Sequence, residues 1–300
     1  MNKTVYLDNS ATTQVFPKVA DYMAHLMKDI YGNPSSMHFV GLDAEQELKK
    51  AKKVFCDILH AKENEIYFTA GGTESNNMSI IGTARAKCRA GKHIITTAIE
   101  HPSVLNTMQY LEDEGYEVTY LQPDSEGMIT TEQVKEALRE DTILVSTMMV
   151  NNEIGSRLPV EEIGRMLKET APQVTYHVDC VQGFGKYRIR PERAGIDLLS
   201  VSGHKIHGPK GIGLLYVRNG VKIQPIIFGG GQQSGLRSGT ENIPGIAGMA
   251  MAADMIYKNF DEEIARLSAL KERLREGLSG SSGVSFIGPK KGGAPHIVSA

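Results

Sequence analysis

The chain has 300 residues, 41% of them apolar and 23% charged, with a net charge of −2. This is ordinary globular composition, long enough to bury a large core without staples, and it gives no electrostatic case for nucleic acid or an anionic membrane. Three scattered cysteines (Cys56, Cys88 and Cys180) with no CxxC pair argue against a disulfide framework or a structural zinc site and for a reducing compartment, read here as cytoplasmic.

The first 8 residues carry no charged segment followed by a long apolar one, so no signal peptide is expected. No apolar run reaches the roughly 18 residues of a membrane span. Helical spacing marks 44–59, where Ala44, Leu48, Ala51, Val54, Phe55, Ile58 and Leu59 recur on one face. A short apolar strand follows at 65–69, then Gly71-Gly72-Thr73-Glu74-Ser75, then a helix over 76–90. Strands are expected at 92–97, 117–121, 142–149 and 174–178, alternating with helices at 101–114, 131–139 and 160–170. Two more strands, 197–201 and 212–217, are separated by only ten residues. That gap is too short for a helical crossover, so this pair is expected to be antiparallel. Beyond 247 the pattern changes to helices at 247–258 and 261–278 and a short strand at 284–287. The last five residues, His296 to Ala300, form an apolar run with no cap or polar tail, and the expectation is a chain that stops partway through a domain.

Alternating strands and helices argue for an α/β fold, a mainly parallel sheet covered by helices on both faces. Ligands in such sheets sit beyond the carboxyl ends of the strands, so the residues that follow each strand carry the functional signal. After 65–69, Gly71-Gly72-Thr73 opens a helix whose free N–H groups suit a phosphate, although Thr73 could equally be a plain N-cap. After 174–178 comes Asp179, a carboxylate that is costly at the end of an apolar strand unless paired, for instance with a protonated ring nitrogen. Gln182 follows within reach as a donor; the plain alternative is that Asp179 caps a helix near Val181. His177-x-Asp179 could hint at a metal, but no further ligands accompany it.

Ser202-Gly203-His204-Lys205, after 197–201, is the most informative stretch. A lysine directly beyond a buried strand is partly desolvated, which eases the neutral amine that Schiff-base chemistry needs; the alternative is a snorkelling surface lysine. His101, at another strand-to-helix junction, could stack on a planar ring and move protons, or simply begin the helix. Asn152, after 142–149, could hydrogen-bond a ring substituent.

Tyr6-Leu7-Asp8-Asn9-Ser10-Ala11-Thr12-Thr13, Gly32-Asn33-Pro34-Ser35-Ser36, Thr69-Ala70-Gly71-Gly72-Thr73-Glu74-Ser75-Asn76, Glu100-His101-Pro102, Asn151-Asn152-Glu153-Ile154-Gly155, His177-Val178-Asp179, Ser202-Gly203-His204-Lys205 and Arg237-Ser238-Gly239-Thr240-Glu241-Asn242 occur in this order. Together they resemble the cysteine desulfurases of the class V aminotransferase group. Gly208-Pro209-Lys210-Gly211 and Arg237-Ser238-Gly239-Thr240 resemble the NifS/IscS branch in particular. The resemblance implies a three-layer, fold-type-I transferase dependent on pyridoxal 5'-phosphate (PLP), and a homodimer. It divides the chain into a large PLP-binding domain, 15–256, and an incomplete small α+β domain, 1–14 with 257–300.

By the same resemblance, Lys205 carries the cofactor and moves the substrate Cα proton, and Asp179 pairs with the ring nitrogen. Gln182 contacts the ring hydroxyl, His101 stacks over the ring and assists proton transfer, and Gly72, Thr73, Ser202 and His204 hold the phosphate. Thr240 reaches the phosphate of a neighbouring subunit, Asn152 lies near cofactor and substrate, and Asn33 near the substrate carboxylate. The implied reaction takes L-cysteine to L-alanine and leaves persulfide sulfur for a sulfur-acceptor or scaffold protein in iron–sulfur cluster assembly or thiolation. The family's nucleophilic cysteine lies beyond the segment matching Ala294 to Ile297, and Cys56, Cys88 and Cys180 do not match its motif. Weak or absent desulfuration by these 300 residues is therefore expected. The alternatives are another PLP enzyme such as a selenocysteine lyase, an aminotransferase or a cysteine-sulfoxide lyase; a non-catalytic PLP-binding fragment; or a nucleotide binder using Gly229-Gly230-Gly231.

Overall fold

A computed structural model of the chain describes residues 5–300, so the first four residues of the segment 1–14 lie outside the described residues. Fifteen α-helices and β-strands follow one another in the described chain. They are α1 (Pro17–Asp29), α2 (Phe39–Leu59), β1 (Ile66–Thr69), α3 (Gly72–Lys87), β2 (His93–Thr97), α4 (Pro102–Asp113), β3 (Glu117–Leu121), α5 (Thr131–Ala137), β4 (Thr142–Met148), α6 (Val160–Thr170), β5 (Thr175–Asp179), β6 (Leu198–Ser202), β7 (Gly213–Val217), α7 (Ile243–Lys258) and α8 (Phe260–Ser279).

The strands form one sheet in the order β1-β7-β6-β5-β4-β2-β3. Every neighbouring pair is parallel except β6–β7 and β7–β1, which are antiparallel. The antiparallel pairing expected from the ten-residue gap is therefore observed, with Leu198 opposite Val217 and Ser202 opposite Gly213. Because β7 runs against both neighbours, β1 and β6 point the same way and end on the same side.

Successive strand residues feed opposite faces of the sheet. Phe68, Ile95, Val145, Val178, Leu199 and Leu214 join a large core with α2, α6 and α7. Ile94 and Leu144 pack with Ile80 and Ala84 of α3 and Val104 and Met108 of α4 on the other face. Helices on both sides of a mainly parallel sheet are what an apolar run on both faces of each strand requires. α7 packs against α1 and α2; it starts at Asn242, whose side chain accepts the Gly245 N–H, with proline in the first turn.

Three local expectations need correction, and one helix was not expected at all. α1 was not expected: Phe16 is its N-cap with no side-chain bond and only Val19 and Leu26 are buried, although Pro17 in its first turn was an available signal. α3 begins at Gly72, four residues earlier than expected, because Gly71 caps it by backbone conformation alone. No helix follows Asp179; residues 180–187 form successive turns. The strand expected at 284–287 reduces to one bridge, Ile287 to Ser299, because no longer partner segment lies alongside it.

Two of the polar clusters inside the sheet centre on Asp197 and His177. Asp197, 2% exposed, accepts Lys168 Nζ on both oxygens at 2.8 Å, pairs with Arg218 and accepts the Tyr176 N–H at 2.9 Å. Asp197→Ala should cost about 3 kcal/mol in urea unfolding, because two cations lose their partner and a buried N–H is orphaned. His177 bonds Ser146 Oγ at 2.8 Å and Ser200 Oγ at 2.9 Å, tying β4, β5 and β6 together. Burial holds this imidazole down to about 3, so it is neutral and both nitrogens are engaged. Among the described residues no helix is long and apolar enough to cross a membrane, and no group of His, Cys, Asp and Glu is arranged to hold a metal ion.

Candidate active site

The carboxyl ends of β1, β4, β5 and β6, with the loop after β2, open on one cavity of about 530 Å³. Of the residues singled out from the sequence, Gly72, Thr73, His101, Asn152, Asp179, Gln182, Ser202, His204 and Lys205 all line it.

Lys205 closes a single 3-10 turn, Gly203–Lys205, that follows β6 directly. Residues 10–16 lie along this turn: Thr13 N–H donates to the His204 carbonyl at 2.9 Å and Phe16 N–H to the His207 carbonyl at 3.1 Å. Lys205 Nζ donates to the carbonyls of Ser10 and Ala11, and Gln182 Nε2 donates to the same Ser10 carbonyl at 2.8 Å. Burial pushes the Lys205 amine down from its ordinary value, while Asp179 and Asp8 pull it back. Its neighbour His204 is held down to about 4 by burial and by Lys205 and Lys210, so it is a neutral hydrogen-bonding group, set against Thr12 Oγ1 at 3.1 Å.

Asp179 is the last residue of β5 and 6% exposed. Its Oδ1 accepts the Val181 N–H at 2.9 Å and its Oδ2 accepts Asn76 Nδ2 at 2.7 Å. Burial pushes this carboxyl up; those two bonds, and then His101 and Lys205, oppose the shift. A buried carboxyl facing a cavity with donors on one side only is primed for a cationic N–H donor on the other.

At the opposite end of the cavity stands the start of α3. The first turn of a helix leaves its N–H groups without intrahelical partners. Gly72 lies so close to Val181 that a Cβ there would sit 2.7 Å from Val181 Cγ2, and a Cβ on Gly213 would sit 2.7 Å from the Gly71 backbone. Glycine at both places lets strand, turn and helix start converge beside Ser202. The one carboxylate in this turn, Glu74, is drawn off by a bidentate pairing with Arg237 at 2.7 and 3.2 Å and by the Ala70 N–H.

His101 is the N-cap of α4: its Nδ1 accepts the Ser103 N–H at 3.1 Å. The capping role and the cavity role therefore coexist. Asn152 lines the cavity and donates to Glu153 at 3.0 Å. Asn33 and Thr240 are both exposed and line no part of this cavity in the single chain. No cysteine lines it either among the described residues. Cys180 is fully buried with its thiol pushed up by desolvation, Cys56 packs half-buried against the core, and Cys88 is exposed at the end of α3. Among the lining residues not singled out from sequence are Asn76 and Ser103. Asn76 lies four residues after Gly72, hence on the same helix face, which was the available signal.

A desolvated lysine and a buried carboxylate at strand ends, facing a helix start that suits an anion, define an α/β enzyme of the aminotransferase type. The chain matches the family described as aminotransferase class V over residues 5–300. It is similar to the cysteine desulfurase IscS of Methanosarcina thermophila, 48% identical over 277 residues, which are 92% of this chain and 68% of that protein. The cysteine desulfurase IscS of Clostridium botulinum is 45% identical over 97% of this chain and 73% of its own. The solved structure of a NifS-like protein superposes with a TM-score of 0.95 at 40% identity, covering 98% of this chain and 80% of that one. The chain belongs to the class V aminotransferase family, in its NifS/IscS-type cysteine desulfurase branch.

Proposed function

We propose that the chain is a PLP-dependent cysteine desulfurase. The observation that carries this is the joint presence on one cavity of the Lys205 amine, the Asp179 carboxyl and the α3 start. The residues present fit the cofactor. Asp179 offers an oxygen set to a ring N–H, and the glycine-lined start of α3 offers backbone donors to a phosphate. Ser202, His204 and Thr73 would complete the phosphate site, and Gln182 would face the ring hydroxyl. Thr240, exposed here, would reach the site of a second copy in a homodimer. Large exposed side chains at Leu7, Met37, Phe39 and Phe228 support such an association. The division into 15–256 and 1–14 with 257–300 belongs to the same proposal, as does a reducing, cytoplasmic setting.

Bound PLP supplies an electron sink for the carbanion left when the substrate Cα loses its proton. Lys205 Nζ, eased toward neutrality by burial, would hold the cofactor and serve as the base at that carbon. His101 would cover the ring and carry a proton toward the leaving sulfur, and Asn152 would orient the amino acid; Asn33, outside this cavity in the single chain, belongs to the same proposal for the substrate carboxylate. Overall, the C–S bond of L-cysteine breaks, its carbon skeleton leaves as L-alanine, and the sulfur joins a thiolate as a persulfide destined for an acceptor or scaffold protein. No cysteine lines the cavity among the described residues, so the assay supplies a dithiol as sulfur acceptor.

The chain mixed with PLP should turn yellow, and borohydride should fix one cofactor mass on Lys205. L-alanine should then form from L-cysteine in the presence of dithiothreitol. A colourless protein at saturating PLP would sink the proposal. Colour with alanine formation from selenocysteine alone would move it to a selenocysteine lyase.

A further inference from the structure

Four side chains form a continuous hydrogen-bonded line along one wall of the cavity. Asn76 Nδ2 donates to Asp179 Oδ2 at 2.7 Å and to Ser103 Oγ at 2.9 Å. Ser103 Oγ lies 2.8 Å from His101 Nδ1, and the Ser103 N–H also donates to that nitrogen at 3.1 Å.

The Ser103 N–H contact at 3.1 Å favours one direction for this line. A ring nitrogen that accepts a backbone N–H carries no proton, so Ser103 must donate its hydroxyl hydrogen to His101 Nδ1. The Ser103 oxygen is then the acceptor for Asn76, as observed. The Asn76 amide cannot be turned over while Asp179 is ionised, because two oxygens would face each other at 2.7 Å. Held this way, the Asn76 Oδ1 is buried with no partner at all. An orphaned buried carbonyl is destabilising, and its retention beside Asp179 indicates that both amide donors are required where they point.

We propose that Asn76 and Ser103 are positioning residues that form an ordered hydrogen-bonded relay between Asp179 and His101, with Asn76 donating to both Asp179 and Ser103 and Ser103 donating to His101, which holds the imidazole as its Nε2–H tautomer. Through this relay the Asp179 carboxylate sets which nitrogen of His101 bears the proton. The use of the relay in turnover rests on the desulfurase reading above; its existence does not.

The test is made on the full 300-residue chain with 15N-labelled histidine, by long-range 1H–15N correlation, first without PLP and then saturated with it. His101→Gln identifies the His101 signals. In its neutral form the wild-type His101 should show protonated Nε2 and bare Nδ1. Ser103→Ala should lower the Nε2–H to Nδ1–H ratio about fivefold, the loss expected for one hydrogen bond, and Ser103→Thr should keep the wild-type ratio. Asn76→Ala should lower it about twofold, and the double variant no further than Ser103→Ala alone. An Nδ1–H tautomer in the wild-type chain, an unchanged ratio in Ser103→Ala, or additive losses in the double variant would each overturn the relay. Because the first spectra contain no cofactor, failure to bind PLP would remove the desulfurase reading and still leave the relay decided.

Discussion

Lys205→Ala should lower alanine formation from L-cysteine at least a thousandfold (about 10³), the scale of losing a positioned base, while the chain still takes up PLP noncovalently. The cofactor should then leave on gel filtration, and borohydride should add no mass to the protein. The site explains the asymmetry between binding and turnover. Asp179, Ser202 and the start of α3 are set by strand ends and glycine packing that do not involve the lysine side chain. The lysine contributes the one amine at the centre of the cavity, already shifted toward its neutral form by burial. Lys205→Arg should not restore turnover, since a guanidinium stays protonated and cannot serve as the base. Retention of more than a tenth of the activity in either variant would show that another group moves the Cα proton.

The second large effect concerns stability. Glu100 precedes His101, is 4% exposed, and uses one oxygen to accept the Thr97 hydroxyl at 2.6 Å and the Met148 N–H at 2.8 Å. Its other oxygen is buried without a partner. Burial raises this carboxyl from 4.5 to about 8, against the two hydrogen bonds and with help from the nearby Asp179 charge. Between those two values the folded chain holds a proton that the unfolded chain has released. The contribution is therefore fully present below about pH 4.5 and is lost as pH rises through about 8, a decline of the order of 4–5 kcal/mol. Glu100→Gln keeps the acceptor for Thr97 and Met148 and removes the titration, at a cost of about 1–3 kcal/mol for an unpartnered amide. Urea unfolding should find this variant less stable than the parent near pH 5 and more stable by about 2 kcal/mol above pH 8. Parallel pH profiles for the two proteins would show that Glu100 does not hold its proton in the fold.

Much of the sheet could be read from the sequence because its strands are apolar on both faces and punctuated by turns. Residues 117–121 and 160–170 match β3 and α6 to the residue, and the antiparallel turn of β7 followed from loop length alone. What escaped did so for particular reasons. α3 is capped by Gly71 at φ 155°, a backbone device with no Ser, Thr, Asp or Asn to announce it. α1 begins without a side-chain cap and buries only two residues against α7. In the site, Lys205, Asp179 and Gly72 were legible because each lies at, or within three residues of, the carboxyl end of a strand. Asn76 and Ser103 matter through contacts between α3 and α4 that span 27 residues of sequence, and no local pattern encodes which faces of two helices meet. Thr240 and Asn33 were legible as motif members, yet they lie outside the cavity that a single copy of the chain encloses.

The strand order bears on when the site comes into being. β1, which leads into the Gly72 helix start, touches no strand except β7, and their pairing joins Ile66 to Tyr216. About half the chain separates these partners, so a large loop must close before the edge strand has anywhere to dock. Emerging from a ribosome, the central strands β2 to β5 can pair with one another long before β7 exists, while β1 waits as an unpaired apolar segment. Competence to capture the cofactor is then among the last properties acquired during folding. Refolding followed by visible absorbance in the presence of PLP should lag behind recovery of backbone circular dichroism, and the unpaired β1 is the segment that a chaperone would have to shield in the interval.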